Sequence, residues 1–145
     1  MAQHAKASGL ELLVNESVEL EKDGQKILVT GTDDPFNFYT EQAMLCLETK
    51  GYDFKIALVH TSELARFASA NHYDLYLCGH THGGQICIKE GFPVISHQFE
   101  GKKFNQGLWH IGKMKGYTSR GVGVSGMPVR FNCKPEITII ELKRT

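Results

Sequence analysis

A strand–helix–strand pattern between residues 54 and 78 constrains the fold more than any other feature of the sequence. Apolar strands are predicted over Phe54–Val59 and Asp74–Cys78. The short helix between them carries its apolar side chains on one face, namely Leu64, Phe67 and Ala68. Such a unit joins two parallel strands by a crossover helix, so the sequence predicts an α/β protein.

Three histidines follow the ends of these two strands: His60 after the first, and His80 and His82 after the second. In open parallel sheets functional groups gather at the carboxyl ends of strands, so the three are predicted to lie close together. If the segment stays extended, His80 and His82 face one site and Thr81 points away. Imidazole is a common metal ligand, although a lone His-x-His pair also occurs by chance. The pattern predicts a metal site.

Glycines bracket the histidine pair at Gly79, Gly83 and Gly84. Residues without Cβ let the backbone turn sharply and let a bulky anionic substrate approach the main chain. Gln85 closes the run. We expect this loop to form the substrate side of the site.

Several segments resemble those of one enzyme family. The run Cys78–Gln85, C-G-H-T-H-G-G-Q, resembles the G-H-x-H block of the calcineurin-like metallophosphoesterase superfamily, in the branch that reads G-H-T-H-G-G-Q. Upstream, Phe54–Ser62 looks like the strand that ends in that family's single histidine ligand. Downstream, Ser119–Phe131 and Pro135–Leu142 look like its closing segment. The resemblance covers about residues 10 to 142.

The resemblance implies the family's α/β sandwich, a mixed sheet with flanking helices, and a metal-dependent hydrolase of phosphate esters, either a phosphodiesterase or a phosphomonoesterase. It implies two divalent ions of Mn, Fe, Zn or Co, a centre that acts on both the entering and leaving oxygens of phosphoryl transfer. His60 and His80 would bind one ion and His82 the other, with His80 and His82 as catalytic residues. The residues implied for substrate binding are Gly83, Gly84, Gln85, Arg120 and Arg130.

Three amino-terminal blocks of the family, D-x-H, G-D-x-x-D and G-N-H-D/E, do not occur in this sequence. They would supply the bridging carboxylate, the other metal ligands and the acid that protonates the leaving group. We therefore interpret residues 1–145 as a single region, the carboxy-terminal half of a phosphoesterase domain, whether as a fragment, a truncated product or part of a split enzyme. The expected partners are the missing amino-terminal half, or other copies of the chain, and a phosphate-ester substrate. We expect the chain to be inactive alone.

Composition excludes other partners. Sixteen basic and sixteen acidic residues give a net charge of zero without a Lys/Arg run, so no nucleic-acid surface is evident. No apolar stretch approaches the roughly 20 residues that span a bilayer. The four cysteines form no C-x-x-C pair and lie in apolar segments. They are expected to be buried free thiols in a reducing compartment, which favours a cytoplasmic location.

The remaining elements are predicted from local patterns. A short strand is expected over residues 10–14, and a hairpin over Val18–Thr30 with Asp23-Gly24 as its turn. Asp34 and Pro35 are expected to begin a helix that ends at Gly51. Its apolar stripe comprises Tyr39, Ala43, Cys46 and Leu47. Three later strands are predicted over Ile86–Lys89, Leu108–Ile111 and Ile137–Leu142.

Two alternatives to the phosphoesterase hypothesis remain open. One is a non-catalytic binding or assembly module that keeps the back half of the same fold. The other is an unrelated enzyme with a single zinc ion held by His60, His80 and His82 and one open coordination position.

Overall fold

The computed structural model describes residues 7–37, 40–89, 92–94 and 102–143, and its main feature is a mixed six-stranded sheet. The strands are β1 (Glu16–Lys22), β2 (Gln25–Gly31), β3 (Phe54–Leu58), β4 (Leu75–Cys78), β7 (Gly107–Ile111) and β8 (Met114–Thr118), in the spatial order β1-β2-β3-β4-β8-β7. Short helices accompany them, among them α1 (Glu41–Leu45) and α2 (Ala65–Ala70). A separate pair, β5 (Cys87–Lys89) and β6 (Phe92–Pro93), forms a small antiparallel sheet. The predicted α/β class is confirmed.

The hairpin prediction is confirmed at its turn. β1 and β2 are antiparallel, and Lys22 pairs with Gln25 across the two turn residues. Asp23 and Gly24 have φ angles of 54° and 72°. Positive φ at both central residues is what a type I′ turn requires, and this turn matches the natural twist of paired strands.

The strand–helix–strand unit is also confirmed. β3 and β4 are parallel neighbours, with Ile56 opposite Leu75 and Leu58 opposite Leu77. β2 and β8 extend the parallel part of the sheet on either side. The central four strands therefore end at one edge, where His60 and His80 follow β3 and β4.

Both helices pack on one face of the sheet. The buried cluster joins helix-side residues to residues of β3, β4, β7 and β8, and its largest members are Leu47, Leu64, Tyr73, Tyr76, Phe104, Trp109 and Met114. β8, which the sequence pattern did not reveal, lies between β4 and β7. Its central residue is Gly116, and a Cβ there would lie 2.1 Å from Cζ3 of Trp109. The strand lacks an alternating apolar pattern because the indole ring from the neighbouring strand fills the place of a side chain.

The opposite face of the sheet is apolar. Strand register places several large side chains side by side on it, among them Val18, Leu20, Ile27, Val29, Ile56, Leu58, Leu77, Leu108 and Tyr117. Leu20 is 49% exposed, Leu58 39% and Leu108 65%. We call this surface the open sheet face. Residues 136–140 cross it beside β4 and β8, where Thr138 donates a hydrogen bond to the Tyr117 hydroxyl over 3.1 Å.

Three secondary-structure predictions are wrong. Residues 10–13 have no regular structure, and Ile137–Leu142 forms no strand, because no described strand pairs with either segment. The predicted helix is shorter, α1 (Glu41–Leu45), and Thr40 caps it with a hydroxyl that accepts a hydrogen bond from the Ala43 N–H. Asp34 instead supports a turn by accepting from the Phe36 N–H. Tyr39, predicted on the helix stripe, lies outside the described residues.

Within the described ranges, no helix combines the length and the apolar character needed to cross a membrane.

Candidate metal centre

The imidazoles of His60 and His80 meet at the carboxyl edge of the sheet. The N–H of Gly79 donates to the His60 carbonyl over 3.1 Å, which holds the two strand ends together. Nδ1 of His80 lies 2.9 Å from Nε2 of His60, and the two rings are nearly perpendicular. This separation is that of a hydrogen bond between the two rings, and it places two potential nitrogen ligands side by side.

The environment of His80 favours its neutral form. Burial, followed by the nearby His60 and His82, lowers the pKa of His80, and Asp34 and Glu63 offset part of that effect. The ring of Phe36 packs over His80 with 5.0 Å between the centroids. A neutral imidazole is the form that binds metal. Two neutral nitrogen donors would suit Mn, Fe, Zn or Co alike.

His80 and His82 line one cavity, but they do not lie on an extended strand. β4 ends at Cys78, and His80 and His82 have φ angles of 68° and 50°. His82 begins a short 3₁₀ turn that ends at Gly84. The prediction of strand alternation is therefore wrong, because the glycine-rich sequence turns immediately after β4. Thr81 does point away, and its hydroxyl donates to the Asn105 carbonyl over 2.6 Å.

A cavity of about 530 Å³ opens beside the two histidines. It is lined by Phe36, His80, Thr81, His82, Gly84, Gln85, Ile86, Val94, Ser125 and Met127. The lining combines imidazole and backbone groups with apolar side chains, as small-molecule sites commonly do. Of the residues predicted to bind substrate, only Gly84 and Gln85 line this cavity.

The two glycines after His82 are required by close packing. A Cβ on Gly83 would lie 2.7 Å from Cγ of Arg120 and 2.8 Å from Sγ of Cys133. A Cβ on Gly84 would lie 2.1 Å from Cβ of Pro93. Both residues also have positive φ angles. Because both residues lack a side chain, residues 79–85, which we call the histidine loop, can pack against three other segments.

Gln85 connects this loop to the turn that closes the cavity. Its side-chain N–H₂ donates to the carbonyls of Ser125 and Met127 over 3.1 and 2.8 Å. Its side-chain oxygen accepts from the Ser125 N–H over 2.8 Å. Gln85 thus holds the cavity wall in place through all three bonds.

The two arginines bind groups of the protein itself. Arg120 forms an ion pair with Glu136, with its Nη2 and Nε each 2.7 Å from Oε2. Burial raises the pKa of Glu136, but the hydrogen bonds from Arg120 and Tyr117 outweigh it and lower the pKa. Arg130 is surrounded by backbone carbonyls, including those of His82, Arg120 and Gly123. Both arginines lie within the carboxy-terminal segment that packs on the histidine loop.

Several contributors to the site have no sequence signal. The Gly123 carbonyl lies 3.2 Å from Nδ1 of His82, and Sγ of Cys133 donates to the His82 carbonyl over 3.1 Å. Oε2 of Glu63 is buried, without a hydrogen-bond partner among the described residues. Only the folded chain brings these groups to the histidines, because they come from distant or irregular segments.

The histidines form a pair and a separate third member. Across the described ranges, no three His, Cys, Asp or Glu side chains are placed to hold one ion. This arrangement does not favour the single-zinc hypothesis, which needs all three histidines on one metal.

Comparison with known proteins identifies the class. The chain is 31% identical over 140 residues to the phosphodiesterase YaeI of Escherichia coli, covering 94% of this chain and 49% of that protein. It is 35% identical over 123 residues to the uncharacterized metallophosphoesterase YkuE of Bacillus subtilis, covering 85% and 43%. It is 30% identical over 144 residues to the uncharacterized metallophosphoesterase Cj0846 of Campylobacter jejuni, covering 95% and 36%.

These matches show metallophosphoesterase family membership over most of this chain. The chain spans about half the length of the curated relatives that it matches, or less. No family model matches it. No solved structure matches it either.

Proposed function

We propose that this chain supplies the carboxy-terminal half of the active site of a two-metal phosphate-ester hydrolase. The observation that carries the proposal is the 2.9 Å approach of His60 Nε2 and His80 Nδ1 at the carboxyl edge of parallel strands. It occurs in a chain related to metallophosphoesterases, one of which is named a phosphodiesterase. The names of the relatives support ester hydrolysis as the reaction. The histidine pair supports the carboxyl edge of the sheet as the location of the metal.

The residues present fit part of such a centre. His60 and His80, whose rings lie together, would hold one ion, and His82 would hold the second. When bound, two ions would lower the pKa of a water and stabilise charge on the phosphoryl oxygens. The proposed metals are Mn, Fe, Zn or Co, since neutral imidazole suits all four.

The chain's own residues would also shape the substrate site. The cavity beside His80 and His82 is wide enough for an ester group, and Gln85 holds its wall through Ser125 and Met127. Gly83 and Gly84 allow the histidine loop to pack closely against its neighbours, because a side chain at either position would collide with them. The bridging carboxylate and the general acid would come from the amino-terminal half.

The test is an assay with and without that half. We expect the isolated chain to show no appreciable turnover of bis(4-nitrophenyl) phosphate with added Mn²⁺. Three histidines alone cannot hold the two ions that would stabilise both the attacking and the leaving oxygen. Joining the chain to the amino-terminal half of YaeI should restore metal-dependent turnover, and His82→Ala should abolish it.

Two outcomes would contradict the proposal. Robust turnover by the isolated chain, abolished by His82→Ala, would show that other residues of this chain complete the centre. An assembled protein that folds but neither binds two ions nor turns over the ester would favour the non-catalytic module.

A further inference from the structure

We propose that Arg130 is a positioning residue that fixes the orientation and tautomer of His82, so that Nε2 of His82 is the atom available to a metal. The inference rests on the proposed function only where it concerns metal. The positioning itself follows from contacts within the chain. It assigns Arg130 a role other than gripping a substrate phosphate.

Arg130 organises the loop around His82 through backbone carbonyls. Its Nη2 lies 2.6 Å from the Gly123 oxygen and 2.7 Å from the Arg120 oxygen. Its Nε lies 2.9 Å from the same Gly123 oxygen. Its Nη1 lies 3.1 Å from the His82 oxygen and 3.4 Å from the Cys133 oxygen. A guanidinium has five N–H groups in a fixed plane, and contacts to backbone carbonyls engage all three of its nitrogens.

These contacts also indicate whether the hydrogen between Arg130 and His82 belongs to Nη2 of the arginine or to Nδ1 of the histidine. Nη2 of Arg130 is 3.4 Å from Nδ1 of His82, which would suit a hydrogen bond only if Nη2 had a hydrogen to spare. Its two hydrogens are directed to backbone carbonyls, with short contacts to Gly123 and Arg120 and a longer one of 3.2 Å to Gly121. The Gly123 oxygen lies 3.2 Å from the same Nδ1. This assigns the hydrogen to Nδ1, with the Gly123 oxygen as its nearest acceptor.

The tautomer determines which atom can bind a metal. With its hydrogen on Nδ1, a neutral imidazole has its free lone pair on Nε2. Metal-binding histidines commonly donate their other ring N–H to a carbonyl, which fixes the ring. Here Gly123 supplies that carbonyl, and Arg130 holds Gly123 by two hydrogen bonds.

Arg130 also holds the backbone of His82. The His82 carbonyl accepts from Nη1 of Arg130 and from Sγ of Cys133, each over 3.1 Å. His82 has a φ of 50°, a region that residues with side chains adopt uncommonly. The two bonds to its carbonyl oppose relaxation to an ordinary conformation. Arg130 thus constrains both the ring and the main chain of His82.

The primary test is the tautomer of His82 in metal-free protein. The assembled enzyme, meaning this chain joined to the amino-terminal half described above, would be labelled with ¹⁵N-histidine and studied by long-range ¹H–¹⁵N NMR at a pH where the ring is neutral. We expect a protonated Nδ1 and a bare Nε2 for His82. A protonated Nε2 in the unsubstituted protein would overturn the inference, whatever the variants do.

The second test substitutes Arg130. Arg130→Ala and Arg130→Lys should both give a mixture of His82 tautomers and weaken binding of the second Mn²⁺ by about 10–100-fold. Lysine should not rescue the effect, because its ammonium cannot satisfy five spread-out carbonyls. Lys134→Ala, an exposed residue in the same segment, is the matched control and should leave the tautomer unchanged.

The outcomes separate this inference from the proposed function. If the variants keep the His82 tautomer and both ions while the KM for the ester rises, Arg130 grips substrate and the inference fails, although the hydrolase proposal stands. If the unsubstituted protein shows the expected tautomer, lost in the Arg130 variants, but binds no metal, the positioning role stands and the proposed function fails.

Discussion

Nδ1 of His80 lies 2.9 Å from Nε2 of His60, although twenty residues separate them in the chain. Each follows a strand of the parallel pair β3 and β4, and the bond from Gly79 N–H to the His60 carbonyl closes the gap between the strand ends. The pair is thus positioned by sheet register and a main-chain bond. A metal at this point would join two elements that the sheet already holds together.

Replacing a histidine should affect chemistry more than folding. In the assembled enzyme, His80→Ala and His82→Ala should each lower kcat by orders of magnitude, because each removes a metal ligand from a unit whose parts act together. The melting temperature should change little, since both side chains are only half-buried. Steady-state kinetics and calorimetry measure the two effects.

The matched control for these substitutions is His110→Ala. His110 is exposed on β7 opposite Lys115, towards the other end of the sheet from the site. The His110→Ala variant should retain full turnover. Near-unchanged turnover by His80→Ala or His82→Ala at saturating metal would remove that histidine from the centre.

Cys78→Ser should act on stability. The thiol is buried at the end of β4, 3.2 Å from the Thr118 hydroxyl, and burial is the main cause that raises its pKa to about 11. Serine places a more polar group in the same apolar position, which should cost about 1 kcal/mol of unfolding free energy. Denaturant unfolding measures this change. Loss of turnover with unchanged stability would show that Cys78 belongs to the site.

The isolated chain should self-associate through the open sheet face. Leu20, Leu58 and Leu108 leave large apolar areas exposed there, and proteins normally cover such areas. Leu108→Lys should reduce association by placing a charge on this face. Gln42→Lys, which adds the same charge on α1, should not. Light scattering and sedimentation give the molar mass, and a strictly monomeric, cooperatively melting chain would contradict the prediction.

Acid should destabilise the chain partly through Glu136. Burial raises the pKa of its carboxyl, but the bonds from Arg120 and Tyr117 prevail, so the folded pKa lies below the ordinary value of 4.5. A lowered folded pKa means that this stabilisation is present above about 4.5 and is lost as the pH falls through the folded pKa. Unfolding measured from pH 6 to pH 3 should show a shallower acid loss for Glu136→Gln.

Glu141→Gln provides the control for that titration. The Glu141–Lys143 pair is 72% exposed on both sides, so its charge is well screened. The Glu141→Gln variant should therefore show the same acid dependence of unfolding as the unsubstituted chain. An identical acid profile for Glu136→Gln and the unsubstituted chain would show that the Arg120 pair contributes no measurable pH dependence.

The sequence alone determined the elements with local or strongly periodic signals. The Asp23-Gly24 hairpin could be predicted because a type I′ turn needs two residues that accept positive φ. The parallel pairing of β3 and β4 followed from one helix between two apolar strands, and it brought His60 and His80 to one edge. The relatives confirm the metallophosphoesterase family that the sequence motifs resemble.

Tertiary structure decided the rest. β8 carries no periodic signal, because Trp109 from the neighbouring strand fills the space above Gly116. The backbone at His80 and His82 turns with positive φ, so strand alternation could not orient their rings. The surroundings of His82 come from Gly123 and Arg130, about forty or more residues away in an irregular segment. Contacts of this kind depend on how loops pack, and the local sequence carries no pattern that encodes them.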